Sequence, residues 1–570
     1  MSKNRSFRYG KKCFSLCLAV SIACSVAPGF AAARPDAGTI KNSLEDQKIA
    51  EPKKNNVEIE VSNDQKAAPP QAAGPQIAVK GFHVTGQTII SEPKVQELVK
   101  DAVGKTLSLP ELDAVAQRIA GYLNKQGYLV ANAYLPAQDV KDGIVEIAVV
   151  PGRYDNVDIR NTSRLSLNRI SAMLNPIKPG DYVQKATLER VLEILSDTSG
   201  VQVKGTLAPG KSVGTTSLIV EVSDGDDMTA VFGLDNYGNR YTGAGTSTIV
   251  LTMNNFSGQG DEIDLQNNYS GNGMNNCAIT YTTLAGNQGG KIGVAYSNMH
   301  YILGKEFTAY GFTGSSNTAS LFGSYPLVRS RAANVNLQWG IDYHTISDNG
   351  DGIQLDDKHN TVLSLGVNGN NRDKTGITSY ALTLNAGDLV FEGGSDFTSA
   401  ASAKDIDSTT TRTAGRYQKY TADFARFQQL SNRLDFIFTF KGQLASKNLD
   451  SSEKLFIGGA SGVRAYPQGE VSGDEGYLAR GEFRWTLPHK SLQVQLAAFV
   501  DAGHVTINKN PWDGAGENGR TLKGGGLGLI IAANKDYNIR IDRAWIMGGG
   551  QVTAEAASSG RWLLSGVQYF

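Results

Sequence analysis

Residues 333–345 read ANVNLQWGIDYHT, a stretch in which apolar and polar side chains alternate. The apolar positions are Val335, Leu337, Trp339, Ile341 and Tyr343, and the polar positions are Asn334, Asn336, Gln338 and Asp342. Successive side chains of a β-strand point to opposite faces, so this alternation predicts a strand that separates an apolar from a polar environment.

Similar stretches follow one another from about residue 229 to the end of the chain. Residues 433–444 (RLDFIFTFKGQL), 478–487 (LARGEFRWTL) and 561–570 (RWLLSGVQYF) show the same alternation. The polar sides carry many charges, aromatic residues recur near strand ends, and the spans are about ten residues long, which is typical of an outer-membrane β-barrel and not of a soluble sandwich. At roughly 20 residues per strand and connection, residues 229–570 predict about 16 strands, which would leave an aqueous lumen unless something fills it.

Ahead of the barrel, residues 77–152 and 153–224 predict two related α+β modules. Each has the pattern strand, helix, helix, strand, strand, and GYLVANAYLPAQDVKDGIVEIAVV in the first matches GVQVKGTLAPGKSVGTTSLIVEV in the second. A repeat of this length indicates tandem domains. Each module is expected to expose a strand edge, to which an extended partner peptide can add.

The N-terminus predicts an exported protein. Residues 1–33 combine a basic start, the apolar run CFSLCLAVSIACSVA and small residues before a cleavage site at Ala33, as in a signal peptide. A membrane anchor is disfavoured because the apolar run is too short to span a bilayer comfortably. Three of the four cysteines lie in this peptide, which leaves Cys277 and no internal disulfide. A short amphipathic helix is expected around residues 39–50, and a flexible linker up to residue 76.

The composition and motifs give no sign of an enzyme. The chain has 55 basic and 55 acidic residues, so there is no overall bias towards nucleic acid or anionic lipid. The six histidines show no metal-ligand spacing, and no nucleophile elbow or phosphate-binding loop is present in the sequence. We therefore expect no catalytic residues, no metal and no cofactor.

One loop arginine raises a question about the lumen. Residues 457–470 read IGGASGVRAYPQGE, a glycine-rich loop that carries Arg464. Downstream, SLQVQLAAFVDAGHV (residues 491–505) alternates so that Asp501 points into the barrel. A loop folded inward would let Arg464 pair with Asp501, whereas a loop folded outward would leave Arg464 in water. Composition alone does not choose between the two.

Two motifs then carry a resemblance. The V-R-x-Y motif of Val463, Arg464 and Tyr466 and the F-x-D-x-G motif of Phe499, Asp501 and Gly503 follow two tandem modules. The chain, over about residues 77–570, resembles the two-partner secretion transporters, the TpsB-type haemolysin secretion/activation proteins (ShlB/FhaC/HecB), which are relatives of the barrel-assembly factors. The resemblance implies that the modules are POTRA domains, that the sixth extracellular loop enters the lumen, that Arg464 pairs with Asp501, and that Val463 and Tyr466 pack the loop tip.

The resemblance also implies a function. The barrel would secrete, and possibly activate, a partner exoprotein whose N-terminal secretion domain binds the POTRA domains in the periplasm. Residues 34–55 would supply a helix that plugs the barrel, and residues 56–76 a linker. A barrel-assembly factor and a passive porin are the alternatives, and haemolysin, adhesin, contact-dependent toxin and haem-scavenging exoprotein all stay open as cargo. The chain has Ala465 where the family usually has glycine, which would strain the loop if a positive φ is needed there.

Overall fold

The computed structural model describes residues 34–45, 58–61, 76–86, 88–271, 273–396, 401–533, 536–556 and 558–570. The signal peptide expected at residues 1–33 lies outside this description, as does most of the expected linker. Two elements precede the modules, namely helix α1 (Ala37–Glu45) and strand β1 (Glu58–Val61). β1 departs from the expected flexible linker, because a sheet edge of the second module supplies its hydrogen bonds.

The first module packs two helices against a small sheet. Its elements are β2 (Ile77–Ala78), β3 (Gly81–Thr85), α2 (Glu92–Val99), a 3-10 turn (Lys100–Ala102), β4 (Thr106–Leu107), α3 (Leu109–Lys125), β5 (Asn132–Tyr134) and β6 (Ile144–Val150). The main sheet has the order β3-β6-β5. α3 begins with a capping box, in which hydrogen bonds from Ser108 to the carboxylate of Glu111 hold the pKa of that group below its usual value.

The second module repeats this layout and rests on the barrel. Its elements are β7 (Arg153–Asn161), α4 (Leu167–Leu174), α5 (Lys185–Ser196), β8 (Val201–Pro209) and β9 (Thr215–Asp224), and its sheet has the order β1-β8-β9-β7. The buried carboxylate of Glu193 on α5 lies 2.9 Å from the guanidinium of Arg329, at the rim of the barrel. Because Arg329 also pairs with Asp197 at 2.5 Å, a charged contact fixes α5 against the barrel.

Sixteen antiparallel strands close into a barrel, which confirms the predicted fold. The strands and the short elements between them are β10 (Met228–Asp235), β11 (Thr246–Asn254), β12 (Glu262–Tyr269), β13 (Met274–Ala285), β14 (Gly290–Ile302), a 3-10 helix (Lys305–Tyr310), β15 (Thr313–Arg329), β16 (Ala333–Gly350), β17 (Ile353–Arg372), β18 (Gly376–Gly393), α6 (Ala403–Thr409), β19 (Gly415–Gln429), β20 (Leu434–Ala445), a 3-10 turn (Ser451–Glu453), β21 (Leu455–Phe456), β22 (Ser472–Gly473), β23 (Glu475–Leu487), β24 (Gln493–Thr506), β25 (Gly519–Ala533), β26 (Tyr537–Gly549) and β27 (Gly560–Tyr569). β10 pairs with β27 to close the barrel, whereas β21 and β22 are not barrel strands and pair only with each other.

The direction of the strands defines the two ends of the barrel. β10 leaves the second module and runs away from it, and because neighbouring strands are antiparallel, the even-numbered strands up to β20 also run away. The loop between β20 and β23 therefore starts at the end far from the modules. No helix in the described ranges is both long and apolar enough to cross a membrane.

The alternation predicted from the sequence sets the two faces of the wall. On β17, Leu363 is 55% exposed on the outer face, whereas its neighbours Val362 and Ser364 point inward. Leu363 pairs with Ile341 of β16, which is also exposed, so an apolar outer band crosses from strand to strand. This arrangement places apolar side chains against lipid and polar ones in the lumen.

We expect Leu363→Arg to destabilise the barrel by about 2–4 kcal/mol, because a charge at mid-depth on the lipid face loses its hydration. The matched control is Ser364→Arg, which puts the same charge at the same depth but in the lumen, and which should cost much less. Denaturant unfolding of both variants in lipid vesicles measures the difference. Equal losses of stability would contradict the assigned faces.

Candidate functional site

The loop between β20 and β23, residues 446–474, enters the barrel and is called the lumen loop below. Its base is tied by the pairing of Leu455 with Gly473. At its tip, Val463, Arg464 and Tyr466 are all at least 98% buried. An arginine this deeply buried needs partners, because an uncompensated charge away from water costs several kcal/mol.

The structure brings Arg464 against Asp501 of β24. The guanidinium donates two parallel hydrogen bonds to the carboxylate, from Nε to Oδ2 and from Nη2 to Oδ1, both at 2.8 Å. The backbone N–H of Arg464 also donates to Asp501 Oδ2 at 3.1 Å. The guanidinium carbon lies 3.4 Å from the centre of the Phe499 ring, so it is stacked as well as paired. Bidentate pairing fixes both the position and the orientation of the loop tip.

A second carboxylate completes the site, and the sequence reasoning did not identify it. Glu482 of β23 accepts a hydrogen bond from Arg464 Nη1 at 2.6 Å. Glu482 is itself held by Arg540 of β26 at 2.7 Å and by Arg484 at 2.6 Å. The signal that could have indicated Glu482 was its place on the polar parity of residues 478–487, between two arginines.

The cluster around the loop tip is close to charge balance. Its four arginines are Arg464, Arg480, Arg484 and Arg540, and its three carboxylates are Asp501, Glu482 and Asp542. Each arginine lies within 3.5 Å of a carboxylate oxygen in this group. No group of three or more His, Cys, Asp or Glu side chains in the described part of the chain is arranged to hold a metal ion.

The other motif residues pack the tip. Val463, Tyr466 and Phe499 belong to one buried apolar cluster, and the Tyr466 hydroxyl donates to the carbonyl of Gly550 at 2.8 Å. At Gly503, an added Cβ would lie 3.2 Å from the Ile457 Cβ, so this glycine lets the loop lie close to the strand. All six residues of the two sequence motifs thus meet in one place.

Ala465 fits the loop because of a glycine opposite it. Its φ is not positive, so the strain considered from the sequence does not arise. Its Cβ faces Gly524 of β25, where an added Cβ would lie only 2.6 Å away. The Ala465 methyl group therefore fits because Gly524, on the strand that faces it, has no side chain.

A second group of charges holds the other side of the lumen loop, at residues 450–454, called the loop shoulder below. Asp450 accepts from the buried Lys358 of β17 at 2.5 Å. Glu453 accepts from Lys419 of β19 at 2.6 Å and from Asn360 at 3.0 Å. The lumen loop is thus fastened at its tip to β23, β24 and β26 and at its shoulder to β17 and β19.

Helix α1 lies in the lumen against this shoulder. The backbone N–H of Ala37 donates to the buried Asp348 of β16 at 3.0 Å, and Ile40 packs into an apolar cluster with Tyr301. The Asn42 side chain donates to the carbonyl of Lys454 at 2.7 Å. A Cβ on Gly38 would lie 2.7 Å from the backbone nitrogen of Ser452, so only glycine allows this approach.

We expect Gly524→Ala to displace the loop tip, because the two Cβ atoms would overlap, and overpacking of this kind typically costs about 1–3 kcal/mol. Single-channel recording in planar bilayers should show more frequent openings. The double variant Gly524→Ala/Ala465→Gly should regain most of the loss, and Gly566→Ala, whose added Cβ would meet nothing within 4 Å, is the control. Absence of rescue would contradict the pairing of these two positions.

Comparison with known proteins agrees with this architecture. The chain is 28% identical over 545 residues to the heme/hemopexin transporter protein HuxB of Haemophilus influenzae, covering 92% of this chain and 94% of that protein. It is 21% identical to the outer membrane transporter CdiB of Dickeya dadantii, with 81% of each chain covered. The solved structure of CdiB from Escherichia coli superposes with a TM-score of 0.68 at 21% identity, covering 89% of this chain and 93% of that one.

Two family models match the chain. Residues 77–152 match the ShlB-type POTRA domain, and residues 214–531 match the haemolysin secretion/activation protein ShlB/FhaC/HecB. The second match covers more than half of the chain. The protein lies in the outer membrane with its POTRA region in the periplasm, and it secretes a partner exoprotein. The chain belongs to the ShlB/FhaC/HecB family of haemolysin secretion/activation proteins, the outer-membrane transporters of two-partner secretion.

Proposed function

We propose that the transporter threads an extended exoprotein through the barrel after two closing elements, the lumen loop and helix α1, leave the path. The observation that carries this proposal is the deep burial of Arg464 in a cluster of luminal charges. The POTRA region binds the N-terminal secretion domain of the exoprotein. Folding of the exoprotein outside the cell gives the direction, and no covalent chemistry is involved. The family assignment favours this role over barrel assembly and over a passive porin.

The Arg464–Asp501 pair acts as the latch of the lumen loop. Separating Arg464 from Asp501 while both stay buried would be costly, because each charge would lose its partner without gaining water. When the whole loop leaves the lumen, Arg464 enters water and Asp501 becomes hydrated, so both charges are solvated again. Phe499 strengthens the closed state, because it covers the face of the guanidinium. Val463, Tyr466 and Gly503 shape the closed loop.

Helix α1 acts as the plug. Its N-terminal N–H groups carry a partial positive charge and meet two carboxylates: Asp36 accepts from the N–H of Thr39 at 2.7 Å, and the buried Asp348 accepts from that of Ala37 at 3.0 Å. The helix has nine residues and would be marginal alone in water, so its order depends on this seat. Twelve residues, 46–57, separate its end from β1, so the helix and the POTRA region stay covalently linked when the plug leaves.

A haem-related exoprotein is the cargo we favour. Identity is 28% to the heme/hemopexin transporter protein and 21% to the CdiB transporter, over 92% and 81% of this chain. Replacement of the HuxB gene by this one in H. influenzae should preserve growth on haem supplied as haem–hemopexin, with the Arg464→Ala variant tested in parallel. Loss of growth despite normal insertion of this barrel would count against a haem-related cargo.

We expect Arg464→Ala and Asp501→Ala each to raise the open probability in planar bilayers, because each removes the bidentate pair that holds the loop tip. Arg464 keeps its contact with Glu482 and Asp501 stays 3.5 Å from Arg480, so the cost should lie below that of a buried charge left without any partner, which is about 3–5 kcal/mol. The double variant should add little to either single change. Arg416→Ala removes an arginine whose side chain is 92% exposed and is the matched control. Strictly additive effects would mean that the two residues do not act as one latch.

We expect Asp348→Asn to weaken the plug, since the amide keeps the shape but is a weaker acceptor for the Ala37 N–H than the carboxylate, while Asp36 still caps Thr39. The loss should be on the order of 1–2 kcal/mol, or about 5- to 30-fold in plug opening. The neighbouring Asp351, exposed in the turn after β16, provides the control Asp351→Asn. The measurement is the rate at which a thiol reagent labels a cysteine placed at Thr39 in a Cys277→Ser background. An unchanged labelling rate would contradict the seat assigned to Asp348.

A further inference from the structure

We propose that the outer edge of β8 in the second POTRA module is a strand-binding surface, which the chain's own residues 58–61 cover at rest and which an extended segment of the exoprotein takes over during secretion. The identity of the incoming strand rests on the proposed function. The competence of the edge rests on contacts within this chain alone.

The covering strand β1 binds the edge of β8 as an added peptide strand would. β1 pairs in parallel with β8, with Glu58 opposite Lys204 and Val61 opposite Leu207. Ile59 is half-buried against the apolar core of the second module. Glu60 forms an ion pair with Lys204 at 2.9 Å, but both side chains are exposed enough that this pair contributes little. Main-chain pairing and one aliphatic side chain therefore supply most of the attachment.

The attachment is suited to exchange. β1 has only four residues, shorter than the usual five or six of a strand, and the elements before and after it, α1 and β2, lie outside its sheet. A tethered strand of this kind holds its site mainly through an effective concentration in the millimolar range. A longer incoming segment with an aliphatic residue at the Ile59 position and an acid near Lys204 would make the same contacts and more.

The two modules differ at this edge. In the internal repeat, β5 of the first module corresponds to β8 of the second, and β5 is the last strand of the sheet β3-β6-β5. In the described part of the chain, no strand pairs with the outer edge of β5, whereas β8 carries β1. An exoprotein can thus meet the first module directly, but must displace residues 58–61 to extend onto the second.

The experiment uses the full-length protein in lipid nanodiscs and a synthetic peptide of residues 55–64 (NNVEIEVSND) with photo-leucine in place of the isoleucine. Wild type is compared with Ile59→Asp, which should release its own strand. With peptide at 100 μM, we expect about tenfold more cross-linking to residues 201–209 in Ile59→Asp than in wild type, since the peptide no longer competes with a tethered strand.

Two control variants separate the loss of the β1 strand from the effect of an added charge. Val213→Asp makes the same kind of change at a fully exposed valine of the same module, and it should label like wild type. Replacement of residues 58–61 by Gly-Ser-Gly-Ser removes the strand without adding charge, and it should label like Ile59→Asp. Equal labelling of wild type and both strand variants, or labelling away from β8, would overturn the proposal. Because no exoprotein is present, this outcome is independent of whether the latch and plug operate as proposed.

Discussion

The guanidinium of Arg464 must find its counter-charges inside the barrel, because the loop that carries it is surrounded by the wall. Bringing such an ion out of water costs several kcal/mol unless its hydrogen bonds are replaced. Asp501 on β24 and Glu482 on β23 replace them, and Glu482 in turn is balanced by Arg540 on β26. One buried loop residue thus explains the charges on the inner faces of three strands, which would be unfavourable in an empty, partly dry lumen.

The sequence alone predicts the strands of the barrel wall far better than the contacts inside the lumen. Alternation with a period of two determines which side chains face lipid, so the barrel and the inward direction of Asp501 follow directly from residues 491–505. The direction of a side chain does not reveal which loop reaches it. The pairing of Arg464 with Asp501 was therefore predicted from the family resemblance. Arg540, 76 positions further along the chain than Arg464, was missed because its position along the barrel axis depends on the stagger between neighbouring strands, which the sequence does not show.

Two N-terminal elements show a different reason for incomplete prediction. α1 and β1 are too short to carry a strong pattern, and neither would be stable in isolation. Each takes its order from a distant surface: α1 from Asp348 and the loop shoulder, β1 from the edge of β8. Ala465 is a related case, since its fit depends on Gly524 in another strand and not on its own φ.

The charged contacts of the lumen loop and of α1 suit the proposed opening of the barrel, although buried apolar clusters also hold the loop tip and Ile40. An apolar plug of the same size would expose its surface to a wet lumen on leaving, at about 25 cal/mol per Å². Arg464 and Asp450 on the loop, and their partners Asp501 and Lys358 on the wall, would regain hydration when the whole loop leaves a wet lumen. These pairs can therefore hold the closed loop without making its departure equally costly. The lumen loop is fastened to two separate groups of strands, namely β17 with β19 and β23 with β24 and β26. In the proposed mechanism, departure of α1 from the loop shoulder uncovers one of the two fastenings, so that the loop can then be released from one group of strands before the other.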